Sequence, residues 1–233
     1  MYLGYMYLDI WYFVLVIPAI IVMIFAQIKV KGTFSKYSKV PNEKGITGAK
    51  MAELVLKQNG LFDVRVERLG SNSGDHYDPK TKTIRLSCDV YDNPSVTAVG
   101  VAAHEAGHAL QHSDSYVPLT VRNAVIPATN AVSWLPIPLI ILSVWLSVDW
   151  LFKVAILILL VTLFVQLITL PVEFNASRRA VASIRENNTL NDDELRGAKK
   201  VLSAAAMTYV AAFLVSLMNI LRIILIFSGR RKN

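Results

Sequence analysis

Cysteine is almost absent from this sequence, in which Cys88 is the single example. A disulfide bond within the chain is therefore excluded. So little cysteine is typical of a protein from a reduced compartment. We interpret Cys88 as a strand or strand-end residue without a chemical role.

Charged residues are also scarce. They make up 18% of the chain, whereas 54% of its residues are hydrophobic and the mean hydropathy is +0.43. Several apolar runs approach or exceed the roughly 20 residues that span a bilayer, which predicts an integral membrane protein. The net charge of +7 gathers beside these runs, as lysines and arginines do at a membrane face. We therefore expect the lipid bilayer as a partner and no nucleic acid. Internal repeats are lacking, which disfavours a transporter.

Histidine is the third scarce residue, with four examples in the chain. Two of them, His104 and His108, belong to an H-E-x-x-H pattern whose second residue is Glu105. Residues i and i+4 of a helix lie one turn apart on the same face, so both imidazoles can bind one metal ion. Glu105 can accept a proton from a metal-bound water. The pattern therefore predicts a catalytic site with one zinc ion per chain.

A catalytic zinc ion needs a third protein ligand, and three residues are candidates. Asp114 lies ten residues after His104, but Gln111 occupies the position where such sites carry a turn-forming glycine. His112 lies two helical turns from His104, too far along the helix axis to bind the same metal ion. We therefore expect His112 to contact solvent or one of the metal ligands instead. Glu173 follows two predicted membrane crossings that return the chain to the face it left. Although Glu173 could simply complement a helix dipole, we favour it as the ligand.

The pattern of apolar runs divides the chain into five segments. The first is an uncleaved transmembrane helix, because a basic n-region and a cleavage site are both missing. The predicted segments are an N-terminal transmembrane helix at 1–28, a cytoplasmic catalytic region at 29–130, a transmembrane hairpin at 131–171, a third-ligand helix and polar connection at 172–200, and a C-terminal apolar helix with a basic tail at 201–233.

Charge beside the first apolar run predicts the orientation. Residues 29–44 contain five lysines and one acid, Glu43, which places this side in the cytoplasm and the N-terminus outside. The last apolar run is less regular, since Arg222 interrupts it and the basic residues Arg230 to Lys232 would lie outside if it spans. We predict four spans, the fourth either crossing the membrane or packing against the catalytic region.

The polar region before the metal helix shows one helix and two strands. Thr47 is expected to cap a helix that ends near Asn59. Residues 64–68 and 83–87 alternate as strands, and we predict that they form a small antiparallel sheet joined by a polar turn at 70–79. The second strand is a candidate for pairing with an extended substrate.

The remaining helices are predicted from caps and prolines. Ser95 is expected to cap the metal helix, which runs to about His112. A short surface helix at 119–130 is predicted to break at Pro127. Pro171 is expected in the first turn of a new helix.

Several motifs together resemble the YugP-type bacterial membrane zinc metallopeptidases, a family similar to the HtpX and CAAX-prenyl endopeptidases. The motifs are Asp75-His-Tyr-Asp-Pro79, Ile84-Arg-Leu-Ser87, Ala102-Ala-His-Glu-Ala-Gly-His108 with Gln111-His112, and Leu170-Pro-Val-Glu-Phe-Asn-Ala-Ser-Arg-Arg-Ala180. The resemblance implies zinc ligands His104, His108 and Glu173, with Glu105 as the base. It also implies a multi-pass protein of the bacterial cell membrane with a cytoplasmic active site.

The resemblance also indicates the fold. We predict a mostly α integral membrane protein with a small α+β, zincin-like catalytic region and a transmembrane hairpin inserted between H-E-x-x-H and the third ligand. One position departs from the HtpX-like pattern. That pattern has an aspartate four residues after the ligand glutamate, where it orients a ligand histidine, whereas this chain has Ser177. Asn175 is an alternative residue for this role.

The expected function is zinc-dependent hydrolysis of peptide bonds in membrane-proximal or membrane protein substrates. The alternative is a non-catalytic membrane scaffold in which zinc only stabilises the fold. His76 and Tyr77 are candidates to stabilise an oxyanion, unless residues 75–79 only shape a turn. Arg178 and Arg179 are candidates to bind a substrate carboxylate or phosphate, unless they face the membrane.

Overall fold

The computed structural model describes residues 9–70 and 74–230, and side chains as far as residue 226. Part of the predicted turn at 70–79, the residues before Asp9 and the end of the basic tail lie outside the described residues. The chain is mostly helical with one small sheet, as predicted. The elements are a π-helical turn at Tyr12–Val16, α1 (Ile17–Tyr37), α2 (Gly48–Gln58), β1 (Arg65–Arg68), β2 (His76–Asp78), β3 (Thr83–Leu86), α3 (Cys88–Tyr91), α4 (Val96–Ser113), α5 (Val117–Val132), α6 (Pro136–Leu146), α7 (Asp149–Glu186) and α8 (Asp192–Arg230).

Within the described part of the chain, three helical segments are long and apolar enough to cross a membrane, namely Tyr12–Tyr37, Asp149–Glu186 and Asp192–Ile226. Helices α5 and α6 form a pair bent by 47° that would make a fourth if the pair is one span. Few side chains in the apolar windows of the three segments are buried within the protein. Apolar surface of this kind is stable in lipid, where the backbone polar groups are satisfied inside each helix.

Pro127 and Pro171 lie in the interior of helices, and here the predictions were wrong. Helix α5 is not broken at Pro127, and Pro171 lies within α7 rather than in the first turn of a new helix. A proline removes one backbone hydrogen bond, whereas ending a helix leaves several donors and acceptors without partners. The continuous helix is therefore favoured in apolar surroundings, which offer no water to replace those bonds.

The residues form two compact units. The first, which we call the apolar unit, contains residues 1–27, 121–170 and 208–233. Within it, Arg222 is 9% exposed, and its Nη2 atom lies 2.7 Å from the carboxylate of Asp9. The guanidinium carbon of Arg222 lies 5.0 Å from the centre of the Tyr12 ring. This ion pair explains how the apolar part of α8 accommodates a charge.

The second unit, which we call the polar unit, contains residues 28–120 and 171–207. Its core is formed by α2, β3, α4 and the adjoining parts of α7 and α8, with Met51, Ile84 and Ile184 fully buried. The predicted caps are confirmed: the hydroxyl of Thr47 accepts from the Lys50 backbone N–H, and that of Ser95 accepts from Ala98.

The sheet of the polar unit is mixed, and the predicted antiparallel pairing was wrong. Strand β1 pairs with β3 in parallel, and β2, which lies in the predicted turn region, pairs antiparallel with β3. The strand order β1-β3-β2 makes β3 central. The predicted pairing of β3 with a substrate is therefore also wrong, because β1 and β2 already occupy the backbone hydrogen bonds on both of its edges. Cys88 follows the sheet as the first residue of α3.

Helix α4 packs closely on α7 at Gly107. A Cβ atom there would lie 2.7 Å from the Ala176 carbonyl oxygen, which is shorter than any ordinary contact. At Gly100, on the same helix, a Cβ would lie 3.6 Å from the Ala198 Cβ, an ordinary contact. The absence of a side chain at Gly107 therefore permits the short distance between α4 and α7. At Gly100, which faces α8, a methyl group would fit without moving either helix.

We expect Gly107→Ala to destabilise the protein by about 1–3 kcal/mol, because the added methyl group would push the backbone of α7 away from that of α4. Gly100→Ala is the matched control and should stay within about 1 kcal/mol of the wild type, since it adds helix propensity without a clash. Thermal melts of both variants in a neutral detergent measure the difference. Equal melting temperatures would contradict the assigned close packing.

Candidate metal centre

Helix α4 carries the H-E-x-x-H pattern on a buried face. Nearly every residue from Val96 to Gln111 is buried, with His104 and His108 partly open. The two imidazole rings meet edge to face, with centroids 4.7 Å apart. The helical spacing thus brings the two rings together, as the sequence predicts.

The side chain of Glu173, on α7, lies against both rings. One carboxylate oxygen, Oε2, is 3.2 Å from His104 Nε2 and 3.8 Å from His108 Nε2, and the residue is 3% exposed. A ligand atom from each of the three residues lies within 4.8 Å of the other two. Among the residues that the structure describes, these three form the one group of at least three His, Cys, Asp or Glu side chains that could hold a metal ion.

The geometry of this cluster fits zinc. Two imidazole nitrogens and one carboxylate form a ligand set typical of catalytic zinc, with metal–ligand distances near 2.0–2.1 Å. Ligand atoms around one tetrahedral ion at that distance lie about 3.3 Å apart, and the two Nε2–Oε2 distances bracket this value. A buried carboxylate among apolar residues would also be costly without a cation to neutralise it.

The other ring nitrogens have partners of their own. His108 Nδ1 lies 2.9 Å from Gln111 Oε1, and His104 Nδ1 lies 3.2 Å from the hydroxyl of Ser177. An amide oxygen only accepts hydrogen bonds, so Nδ1 of His108 is the donor. In the neutral imidazole this tautomer places the lone pair on Nε2, which is the atom that can bind a metal ion.

Gln111 joins α4 to α7, a contact that sequence reasoning missed. It is fully buried, and its Nε2 donates to the Val172 carbonyl at 2.8 Å and to Asn175 Oδ1 at 2.9 Å. Asn175 Oδ1 also accepts from Arg179 Nε at 2.9 Å. The available signal was the i, i+3 spacing of His108 and Gln111, which places both side chains on one helix face.

Glu105 lies beside the cluster and is 8% exposed. Burial raises the pKa of its carboxyl to about 7, and the negative charge of Glu173 adds to the rise. The positive charge of a protonated His104 and a hydrogen bond from the Tyr77 backbone N–H act in the opposite direction on this pKa. Strand β2 thus lies close enough to α4 to contact the predicted base.

The structure places the remaining candidates around this centre. The hydroxyl of Tyr77 lies 2.9 Å from His112 Nδ1, one helical turn beyond His108. Burial, together with the charges of two nearby aspartates, raises the pKa of Tyr77 to about 12. His76 is exposed, with Nδ1 2.8 Å from the Gly74 carbonyl oxygen.

The structure distinguishes the two candidate arginines by their contacts. Arg179 Nη1 lies 2.5 Å from a carboxylate oxygen of Asp114, which ends α4. Asp114 therefore pairs with an arginine, whereas Glu173 lies against the two histidines. Arg178 is exposed.

Comparisons with known proteins agree with this geometry. The profile of a family described as "Putative neutral zinc metallopeptidase" matches residues 12–228. The "Putative membrane protease YugP" of Bacillus subtilis (strain 168) is 46% identical over 220 residues, which cover 94% of this chain and 98% of that protein. No solved structure matches the chain. The family match includes both halves of the metal cluster, and the chain therefore belongs to this zinc metallopeptidase family.

Proposed function

We propose that the protein is a membrane-embedded, zinc-dependent endopeptidase whose metal ligands are His104, His108 and Glu173. The observation that carries the proposal is the contact of the buried Glu173 carboxylate with both imidazoles of the H-E-x-x-H helix. Membership of a zinc metallopeptidase family and the similarity to a protein named a membrane protease support it.

Glu105 is the proposed general base. A zinc ion bound by the three ligands would lower the pKa of a water molecule and polarise the substrate carbonyl. Glu105 lies next to His104 on the same helix, and the Tyr77 backbone N–H is close enough to lower the pKa of its carboxyl. Its carboxylate takes a proton from the attacking water and passes the proton to the leaving amine. Burial of Glu105 raises the pKa of its carboxyl, and a more basic carboxylate accepts a proton more readily.

Several nearby side chains are proposed to position the ligands or contact substrate. Gln111 and Ser177 orient the imidazoles through their Nδ1 atoms, and Asn175 supports Gln111. The Tyr77 hydroxyl is protonated at neutral pH, as tyrosines ordinarily are, and can donate a hydrogen bond to a developing oxyanion. His112 is proposed to orient the Tyr77 hydroxyl.

Peptide bonds in membrane-proximal or membrane protein segments are the proposed substrates. The polar unit contains the metal cluster, and the helices that continue from it are apolar enough to span a bilayer. We propose that α5–α6 and the first part of α7 form a transmembrane hairpin between the two halves of the site. The lysines at residues 29–44 support a cytoplasmic active site, with the N-terminus outside.

A membrane scaffold with a structural zinc ion is the alternative function. A structural site usually holds zinc with four protein ligands, whereas the cluster found among residues 9–70 and 74–230 has three. A structural site also needs no buried carboxylate beside its ligands. Cleavage of a quenched peptide library that stops when a chelator is added would separate the peptidase from the scaffold.

We predict that Glu105→Gln lowers peptidase activity at least about 100-fold, because the amide cannot accept the proton of the attacking water. Zinc per chain should stay at the wild-type level, since Glu105 is not a proposed ligand. Elemental analysis and peptide cleavage on the same purified sample provide both measurements. Activity retained at the wild-type rate would contradict the assigned base.

We predict that Glu173→Ala abolishes stoichiometric zinc binding, because it leaves the metal with two protein ligands. Asp114→Ala is the matched control and should keep about one zinc per chain, since this carboxylate pairs with Arg179. Elemental analysis of the detergent-purified chain measures both. Loss of zinc from Asp114→Ala alone would transfer the ligand role to the end of α4.

We predict that Ser177→Ala weakens zinc binding about 10- to 100-fold, because Nδ1 of His104 loses its hydrogen-bond partner. Ser113→Ala, which changes an exposed serine near the end of α4, is the control and should bind zinc as the wild type does. Competition with a zinc-binding dye measures the affinity. Equal affinity in both variants would remove Ser177 from the proposed site.

A further inference from the structure

A groove with four lysines lies in the polar unit, between the end of α1 and the start of α8. Its volume is about 680 Å³, within the range of small-molecule sites. The lysines come from both helices, and no carboxylate lines the groove. The lysines are Lys29, Lys36, Lys199 and Lys200.

Packing of the two helices at this groove is close. A Cβ atom at Gly197, on α8, would lie 2.7 Å from the ring of Tyr37, on α1. The positions lining each helix recur at three- and four-residue spacing, from Lys29 to Tyr37 on α1 and from Lys199 to Met207 on α8. Each helix therefore presents one continuous face to the groove.

Among the residues that the structure describes, no acid neutralises the positive charge of the groove. Within residues 9–70 and 74–230, none of the four lysines forms an ion pair, and the ammonium of Lys36 stacks over the Tyr37 ring at 5.5 Å. Other lysines of the polar unit do pair with acids, as Lys82 does with Asp63. Like charges gathered in one groove repel each other, and a bound anion would relieve that repulsion.

Both helices that line the groove belong to segments that are apolar enough to cross a membrane, Tyr12–Tyr37 and Asp192–Ile226. Helix α1 runs from apolar residues toward Lys36, and α8 runs from Lys199 and Lys200 toward apolar residues. Lys36, Lys199 and Lys200 therefore lie at the polar ends of these segments, while Lys29 and Met207 line the groove nearer the apolar residues. A ligand that matches this arrangement has an anionic group at one end and a hydrocarbon chain at the other.

We propose that this groove binds the phosphate-bearing headgroup of an anionic phospholipid. The charge of the lysines recognises the phosphate. Because both lining helices belong to candidate membrane spans, phospholipid headgroups are the phosphate groups expected beside the groove, which favours a lipid over a soluble phosphate compound. The proposal does not depend on the peptidase function.

The test uses the full chain in neutral detergent micelles and measures its melting temperature. Phosphatidylglycerol added to the micelles should raise the melting temperature with increasing mole fraction, because a ligand that binds the folded state stabilises it. Phosphatidylcholine and inorganic phosphate should each leave the melting temperature unchanged. An equal rise with phosphatidylcholine would contradict the proposed selectivity for an anionic headgroup. An equal rise with inorganic phosphate would contradict the proposal that the ligand is a lipid.

Two double variants separate the groove from general attraction to a charged membrane. K36Q/K200Q removes two lysines of the groove, and K31Q/K39Q removes two exposed lysines of the same region that do not line it. We expect K36Q/K200Q to melt as the wild type does without lipid, and to need about 25-fold more phosphatidylglycerol for the same shift, at about fivefold per lysine. K31Q/K39Q should respond as the wild type does.

Equal responses of the two double variants would overturn the groove as the site. If K36Q/K200Q already melts lower without lipid, K36Q and K200Q are tested singly, each with an expected fivefold loss of apparent affinity. Single variants that fold normally and keep the wild-type response would overturn the proposal.

Discussion

The close approach of α7 to α4 is the constraint on which the metal centre depends. Gly107 permits it, because any side chain there would meet the Ala176 carbonyl. Gln111 reinforces it, because its fully buried amide donates to Val172 and Asn175 on α7. A buried amide without partners costs free energy, so this helix pair has one favoured register. In that register, Glu173 reaches both histidines.

The same contact links the stability of the fold to the orientation of the metal ligands. Gln111 accepts from His108 with its oxygen while its nitrogen donates to α7. The hydrogen bonds that join the helices therefore also select the tautomer of an imidazole. Arg179 extends this network, since it donates to Asn175 and pairs with Asp114 at the end of α4. The same side chains thus join the two helices and orient the imidazole of His108.

The requirement for satisfied backbone hydrogen bonds explains the long helices. Residues Asp149–Glu186 form one helix through Pro171, so the residues that are apolar enough to span a membrane and Glu173 belong to the same helix. A break at Pro171 would place Glu173 in the first turn of a new helix, where backbone N–H groups lack partners within the helix. In the continuous helix, Glu173 instead lies in the helix interior, where the backbone is hydrogen-bonded on both sides.

Local sequence determined the features that depend on neighbours in the chain. The spacing of His104 and His108 placed them on one helix face, and Thr47 and Ser95 marked where helices begin. The apolar runs indicated a membrane protein because span length is set by bilayer thickness. Tertiary structure decided the parallel pairing of β1 with β3, the path of α7 through Pro171 and the contact of Gln111 with α7. These depend on partners distant in sequence, and only the packed chain can satisfy buried hydrogen-bonding groups that lie more than 60 residues apart.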